Sequence, residues 1–179
     1  MALQWLRSLA FTVVIYGLMA IYAVLFAPFA IYDRSFAFAA CHTWCRSVRW
    51  LATWMIGLKT EVRGTPPTSE VMIAAKHQSF LDIILIYGAV PRGKFIMKKE
   101  LIWMPFLGQF ALRIGCVPVD RGKRGAAISK MLEDVSSGRM EPGQLIIYPQ
   151  GTRVAPGAEK PYKAGTGALY RQMKQTCIR

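Results

Sequence analysis

This chain of 179 residues predicts an α/β fold: a largely parallel central sheet flanked by helices, preceded by two N-terminal membrane-associated helices. Three observations carry that expectation. Past Leu58, short apolar runs alternate with segments of helical period, the pattern of strands joined by crossover helices. From Ser8 to Tyr32 there is no charged residue. The stretch after it, Ser35 to Leu58, is again apolar but carries Arg46 and Arg49 in its middle. The chain divides accordingly into residues 1–58, the N-terminal helices, and residues 59–179, the α/β part.

As a helix, Ser8 to Tyr32 reaches roughly 37 Å at about 1.5 Å per residue, against a hydrocarbon core of about 30 Å, so it can cross a bilayer. The run is too long for the apolar region of a cleaved signal peptide, and Ala27-Pro28-Phe29-Ala30 sets Pro and Phe where small residues would be needed. Ser35 to Leu58 is not expected to span, because Arg46 and Arg49 would each cost about 2.5 to 3.5 kcal/mol at a bilayer centre. His42, Arg46, Arg49 and Thr53 recur at helical spacing as a narrow polar stripe opposite Trp44, Leu51, Trp54 and Met55, which suits a helix lying at head-group level.

Further along, Lys59 to Arg63, Val71 to Lys76, Lys94 to Met97, Cys116 to Val119 and Gln144 to Tyr148 read as strands. Phe80 to Gly88, Glu100 to Leu112 with a break at Pro105, Ala126 to Ser136 and Gly165 to Lys174 read as helices. Gly64 to Ser69 and Val154 to Lys163 are the Pro/Gly-rich loops.

The charge balance is strongly basic, with 23 Lys and Arg against 10 Asp and Glu. Such an excess points to anionic partners. Nucleic acid is excluded: there is no recognisable nucleic-acid module, no block of Lys and Arg, and 53% of the residues are hydrophobic. An anionic lipid surface, a phosphorylated substrate or an acidic carrier fits better. Nearly all the cations follow the first apolar segment, which places the bulk of the chain on the cytoplasmic side of a membrane. The four cysteines agree with a reducing compartment; Cys41 and Cys45 flank His42 but lack the second ligand pair of a zinc site.

One local pattern carries chemistry. His77 and Asp82 are five residues apart across a strand-to-helix turn, so the imidazole and the carboxylate can converge. A carboxylate on one ring nitrogen leaves the other free to take a proton from an alcohol. The same letters also read as a capping box, Ser79-Phe80-Leu81-Asp82, with Asp82 serving only the helix start. In parallel sheets ligands collect beyond the carboxyl ends of the strands. There the chain sets His77, then Lys98 and Lys99, then Asp120 and Arg121, then Pro149-Gln150-Gly151-Thr152-Arg153. Gly151 would let the backbone approach a ligand, Thr152 offers a hydroxyl, Arg153 can meet phosphate oxygens as a fork, and Lys98 acts as a point charge.

On these residues the chain resembles the 1-acylglycerol-3-phosphate acyltransferases of the glycerolipid acyltransferase family. His77 and Asp82 match the first family block, H-x-x-x-x-D; Lys94 to Leu101 through Pro105, Gly108 and Gly115 to Val119-Asp120-Arg121 resemble the second; Tyr148-Pro149-Gln150-Gly151-Thr152-Arg153 resembles the third, usually F-P-E-G-T-R. The resemblance implies transfer of a fatty acyl group from acyl-CoA or acyl carrier protein to the 2-hydroxyl of lysophosphatidate. His77 would be the general base, Asp82 its orienter, and Lys98, Arg121 and Arg153 the phosphate contacts, with Gln150, Gly151 and Thr152 also at the substrate. No metal or cofactor is implied.

Two departures stand out. Gln150 replaces the usual Glu, which removes a negative charge but keeps a hydrogen-bonding amide. The chain also stops at Thr176-Cys177-Ile178-Arg179, where the family begins the strand of its fourth block, so the expectation is a C-terminally incomplete chain with that strand missing. Against transfer stand a thioesterase, in which His77 activates water, transfer to another lysolipid, and a non-catalytic basic membrane-binding module.

Overall fold

The computed structural model describes residues 1–119, 129 and 142–178. Five parallel strands form one sheet in the order β3-β2-β4-β1-β5: β1 is Met72–Ala74, β2 Gly93–Lys98, β3 Val117–Val119, β4 Gln144–Ile147 and β5 Cys177–Ile178. Helices α3 (Leu81–Ala89), α4 (Leu107–Arg113) and α5 (Ala164–Met173) connect or follow the strands. Of the expected helix at Ala126 to Ser136, only Ser129, which is helical, lies within the described residues.

The central strand explains the layering. Every residue of β4 is buried, and parallel strands covered on both faces read as unbroken apolar runs. On one face Met72, Leu145 and Ile147 pack with Leu169 of α5. On the other, Ile73 and Ile146 pack with Val90 and Ile86, beside a larger cluster that joins Ile84, Tyr87, Met97 and Cys116. Gln144 is the buried polar exception, and it is fully used: its Oε1 accepts from the Arg92 amide at 2.9 Å, and its Nε2 donates to the Thr68 and Ser69 carbonyls at 3.1 and 2.8 Å.

Ahead of the sheet runs an antiparallel hairpin, α1 (Ala2–Tyr32) and α2 (Ser35–Ile56). The turn is short because Asp33 accepts from both the amide and the hydroxyl of Ser35, at 2.8 and 2.6 Å. Small buried residues, Ala23 and Ala30 on α1 and Ala37, Ala40 and Ala52 on α2, let the helices approach closely. Three polar ties cross between them: Arg7 Nε to the Met55 carbonyl at 2.6 Å, Tyr22 Oη with Ser47 Oγ at 3.0 Å, and Trp44 Nε1 to the Ile15 carbonyl at 2.8 Å. Gly57 ends α2 at φ +73°, and the Leu58 amide reaches back to Ala52, the usual left-handed helix stop. Helix α1 is long and apolar enough to cross a membrane, and it exposes Leu9, Val13, Val24, Leu25 and Phe29.

Three of the four residues in the polar stripe on α2 also find partners elsewhere in the protein. Arg49 donates to Thr60 at 3.1 Å, Thr53 donates to the Leu58 carbonyl at 3.2 Å, and His42 meets the Pro91 carbonyl and stacks on Tyr87. Trp44 turns inward against α1, while Trp50 and Trp54 face outward.

Three expectations change or sharpen. Lys59 to Arg63 is not a strand: residues 57–70 form no regular element. Both edges of β1 are already taken, by β4 and β5, and Lys59-Thr60-Glu61-Val62-Arg63 offers a single apolar side chain for a core. The sheet position beyond β1, expected to be empty, is occupied by Cys177–Ile178, which pair with Met72 and Ile73. The break at Pro105 is real: a 3-10 turn, Lys99–Trp103, gives way to α4 through Phe106 at φ +64°.

Candidate active site

Strand β1 ends at Ala74, and the chain turns through His77 into α3. Asp82, in the first turn of α3, reaches back across that turn. Its Oδ2 accepts from the amides of Gln78 and Ser79 and lies 3.2 Å from His77 Nδ1, while its Oδ1 accepts from Ser79 Oγ at 3.2 Å. Ser79 Oγ in turn accepts from the Leu81 amide at 3.1 Å. The helix cap and the His77–Asp82 contact are therefore one arrangement rather than competing ones. Burial pushes the Asp82 carboxyl upward, but the hydrogen bonds from Ser79, Gln78 and His77 outweigh it and hold the group below its usual range. An ionised carboxylate only accepts, so the proton of this contact is on His77 Nδ1 and Nε2 is the ring nitrogen turned away from Asp82.

The imidazole is clamped as well as oriented. Its ring stacks on Tyr148, with centroids 4.1 Å apart and planes 18° apart. Tyr148 follows β4, and its hydroxyl is buried without a hydrogen-bond partner among the described residues. Burial first, and the Asp82 charge second, raise its pKa and keep the phenol neutral.

The turn after β4 closes through the Gly151 amide on the Tyr148 carbonyl at 2.8 Å, with Gly151 at φ +67°. The Val154 amide then donates to the His77 carbonyl at 2.8 Å, which draws Gly151, Thr152 and Arg153 alongside His77. Gln150 is 4% exposed; its Nε2 donates to the Lys160 carbonyl at 3.0 Å, and its Oε1 has no partner among the described residues.

The sequence-derived residues are thus gathered unevenly. His77 and Asp82 touch, and the turn carrying Arg153 is bonded to them. Lys98 ends β2 at the same edge, but β4 lies between β2 and β1, so it stands two strand spacings away, about 10 Å. Side-chain alternation also puts Lys98 on the Ile96 side of the sheet, opposite Phe95, the ring next to Tyr148. Arg121, with Asp120, lies outside the described residues. Two further residues lie here without a role assigned from the sequence: Tyr148, which opens the third block as the aromatic at a strand end, and Lys163, at the start of α5. Among the described residues no group of three metal-ligating side chains forms. Cys116 is buried, and burial pushes its thiol up to about 11, away from the thiolate form that a nucleophile needs.

Comparison with known proteins agrees with this architecture. The acyltransferase family model matches residues 59–178. The chain is 33% identical over 131 residues to the 1-acyl-sn-glycerol-3-phosphate acyltransferase alpha of Mus musculus, covering 71% of this chain and 46% of that protein. It is 27% identical over 128 residues to a 1-acyl-sn-glycerol-3-phosphate acyltransferase of Pseudomonas aeruginosa, covering 70% and 50%. This chain therefore spans about half the length of the curated relatives it matches. The crystal structure of PlsC, the 1-acyl-sn-glycerophosphate acyltransferase of Thermotoga maritima, superimposes with a TM-score of 0.76 at 21% identity, over 97% of this chain and 73% of that one.

Proposed function

Because this chain belongs to the acyltransferase family, we propose that it moves a fatty acyl group from a thioester donor, acyl-CoA or acyl carrier protein, to the 2-hydroxyl of lysophosphatidate, forming phosphatidate for phospholipid synthesis. The observation that carries this reading is the 3.2 Å contact between His77 Nδ1 and Asp82, which leaves Nε2 free at the carboxyl edge of a parallel sheet.

In this reading, His77 Nε2 takes the proton of the acceptor hydroxyl as its oxygen attacks the thioester carbonyl. The tetrahedral intermediate then expels the donor sulfur, which leaves as the thiol after receiving that proton. Asp82 stabilises the imidazolium formed in between. Arg153 and Arg121 hold the acceptor phosphate, Lys98 adds positive charge at the same edge, and Gly151 and Thr152 shape the turn beside them. Gln150 Oε1 is a neutral acceptor for a substrate hydroxyl, since a carboxylate is not required to accept a proton donor.

The outward apolar residues of α1, with Trp50 and Trp54, suit burial in a lipid surface carrying anionic head groups. Helix α1 also meets the α/β part near its C-terminal end, where Arg113 donates to the Ala30 and Ile31 carbonyls at 2.7 and 3.0 Å. That contact suits a hairpin lying on the membrane, and the cations that follow α1 favour the cytoplasmic side for the α/β layer. The test is an assay with acyl-CoA in the presence and absence of lysophosphatidate. Phosphatidate should form, with thiol release dependent on the acceptor; equal thiol release without it would identify a hydrolase instead.

A further inference from the structure

Gly151 is shaped around another side chain of this chain. A Cβ built on it would lie 2.7 Å from Lys163 Nζ, 3.0 Å from Cε and 3.2 Å from Cδ. The Lys163 stem thus lies flat on the glycine, and its ammonium is set on the turn that follows β4. That placement is fixed from both sides. The Lys163 amide donates to the Pro149 carbonyl at 2.9 Å, and three residues earlier the Lys160 carbonyl accepts from Gln150 Nε2 at 3.0 Å. Lys98 and Arg153 are exposed, whereas Lys163 is half-buried. The same turn begins with Tyr148, stacked on the base, and keeps the buried Gln150 Oε1 without a partner among the described residues. One short framework therefore holds the imidazole, an unfilled acceptor and a positioned cation.

Resting on the acyltransferase reading, we propose that Lys163 binds the phosphate of the acyl acceptor. Covalent chemistry selects the acceptor over the donor. Only two carbons and an ester oxygen separate the reacting hydroxyl of a glycerol phosphate from its phosphorus, so that phosphate must sit close to the base. The phosphates of a CoA-type donor are instead at the far end of the pantetheine arm from the thioester. A lysine supplies a compact point charge that needs no particular approach angle, which suits a phosphate entering over a turn. On this view the φ of Gly151 makes the turn, and its missing side chain admits the cation.

The test compares the 179-residue chain with Lys163→Gln, Lys163→Met and Lys163→Arg in detergent micelles, with acceptor and acyl-CoA varied separately. Loss of a charge-assisted contact should raise KM for lysophosphatidate roughly ten- to hundredfold in the Gln and Met variants, with kcat and donor KM nearly unchanged. Lys163→Arg should recover most of the affinity. An unchanged acceptor KM overturns the assignment, as does a loss confined to donor KM. An Arg variant as impaired as the Met variant, with equal loss of thermal stability, would make Lys163 a packing residue. Calorimetric titration with glycerol 3-phosphate separates this proposal from the one beneath it. Binding that depends on Lys163 in a chain that transfers nothing would retire the transferase reading and keep this one. Normal transfer unaffected by Lys163→Gln would do the reverse, and a chain showing neither transfer nor binding would end both.

Discussion

The two halves of the candidate site are built differently. The base half is local: His77, Gln78, Ser79 and Asp82 lie within six positions and are closed by a set of mutual hydrogen bonds. The phosphate half is distributed, with cations at the ends of separate strands and on the loop into α5, and Lys98 and Arg153 exposed. A half whose geometry is over-determined suits proton transfer, which tolerates little misplacement. Exposed cations suit recognition, where several weak contacts add.

If that division is right, breaking the base half should hurt turnover most. His77→Ala is expected to lower kcat by about 10² to 10⁴ with unchanged membrane association and little change in thermal stability. A variant that still turns over normally would dissolve the distinction between the halves. In the phosphate half, Arg153→Ala should raise KM for lysophosphatidate about tenfold while kcat stays near normal. A collapse of kcat at constant KM would move Arg153 into the chemical step.

Finer cuts test the clamp and the cap. Tyr148→Phe removes a buried hydroxyl that has no partner among the described residues, so stability should stay level or rise by up to about 1 kcal/mol in a denaturant titration. Activity falling without a stability change would mean that the hydroxyl meets substrate. The smallest effect is a pH dependence. Asp82 is held below its ordinary range in the folded protein, so its stabilising contribution is complete above that range and fades as pH falls through the depressed value. The difference in Tm between the wild type and Asp82→Asn should therefore be present at neutral pH and shrink toward zero in acid. A difference that grows in acid would contradict the assignment.

The same contrast explains what could be read from the letters. The His77–Asp82 contact follows from spacing across one turn, and the cap was visible in the motif that overlaps it there. The strands from β1 to β4 and the break at Pro105 were legible because each depends on a short window of apolar periodicity or on one imino acid. Lys59 to Arg63 misleads because whether a weak run pairs depends on free sheet edges, and the neighbours of β1 come from β4 and β5, far along the chain. Lys163 was hidden for a similar reason: its meaning lies in Gly151, twelve positions back, and a glycine signals room without saying what fills it. The stripe on α2 showed helical spacing but not partners, which proved to be Thr60, Leu58 and Pro91.

Helix α2 has two allegiances. Its Trp44 and Ser47 bond to α1, while Ala37, Cys45 and Val48 share a cluster with Ile84 and Tyr87 of α3 and Met97 of β2, and a Cβ on Gly88 would sit 3.3 Å from Cys45. Whatever surface the hairpin grips is therefore coupled to the interior of the α/β layer without a swivel. Grafting a foreign tether in place of the first 56 residues would not yield a freed α/β head; it would strip a wall from the layer that backs the histidine.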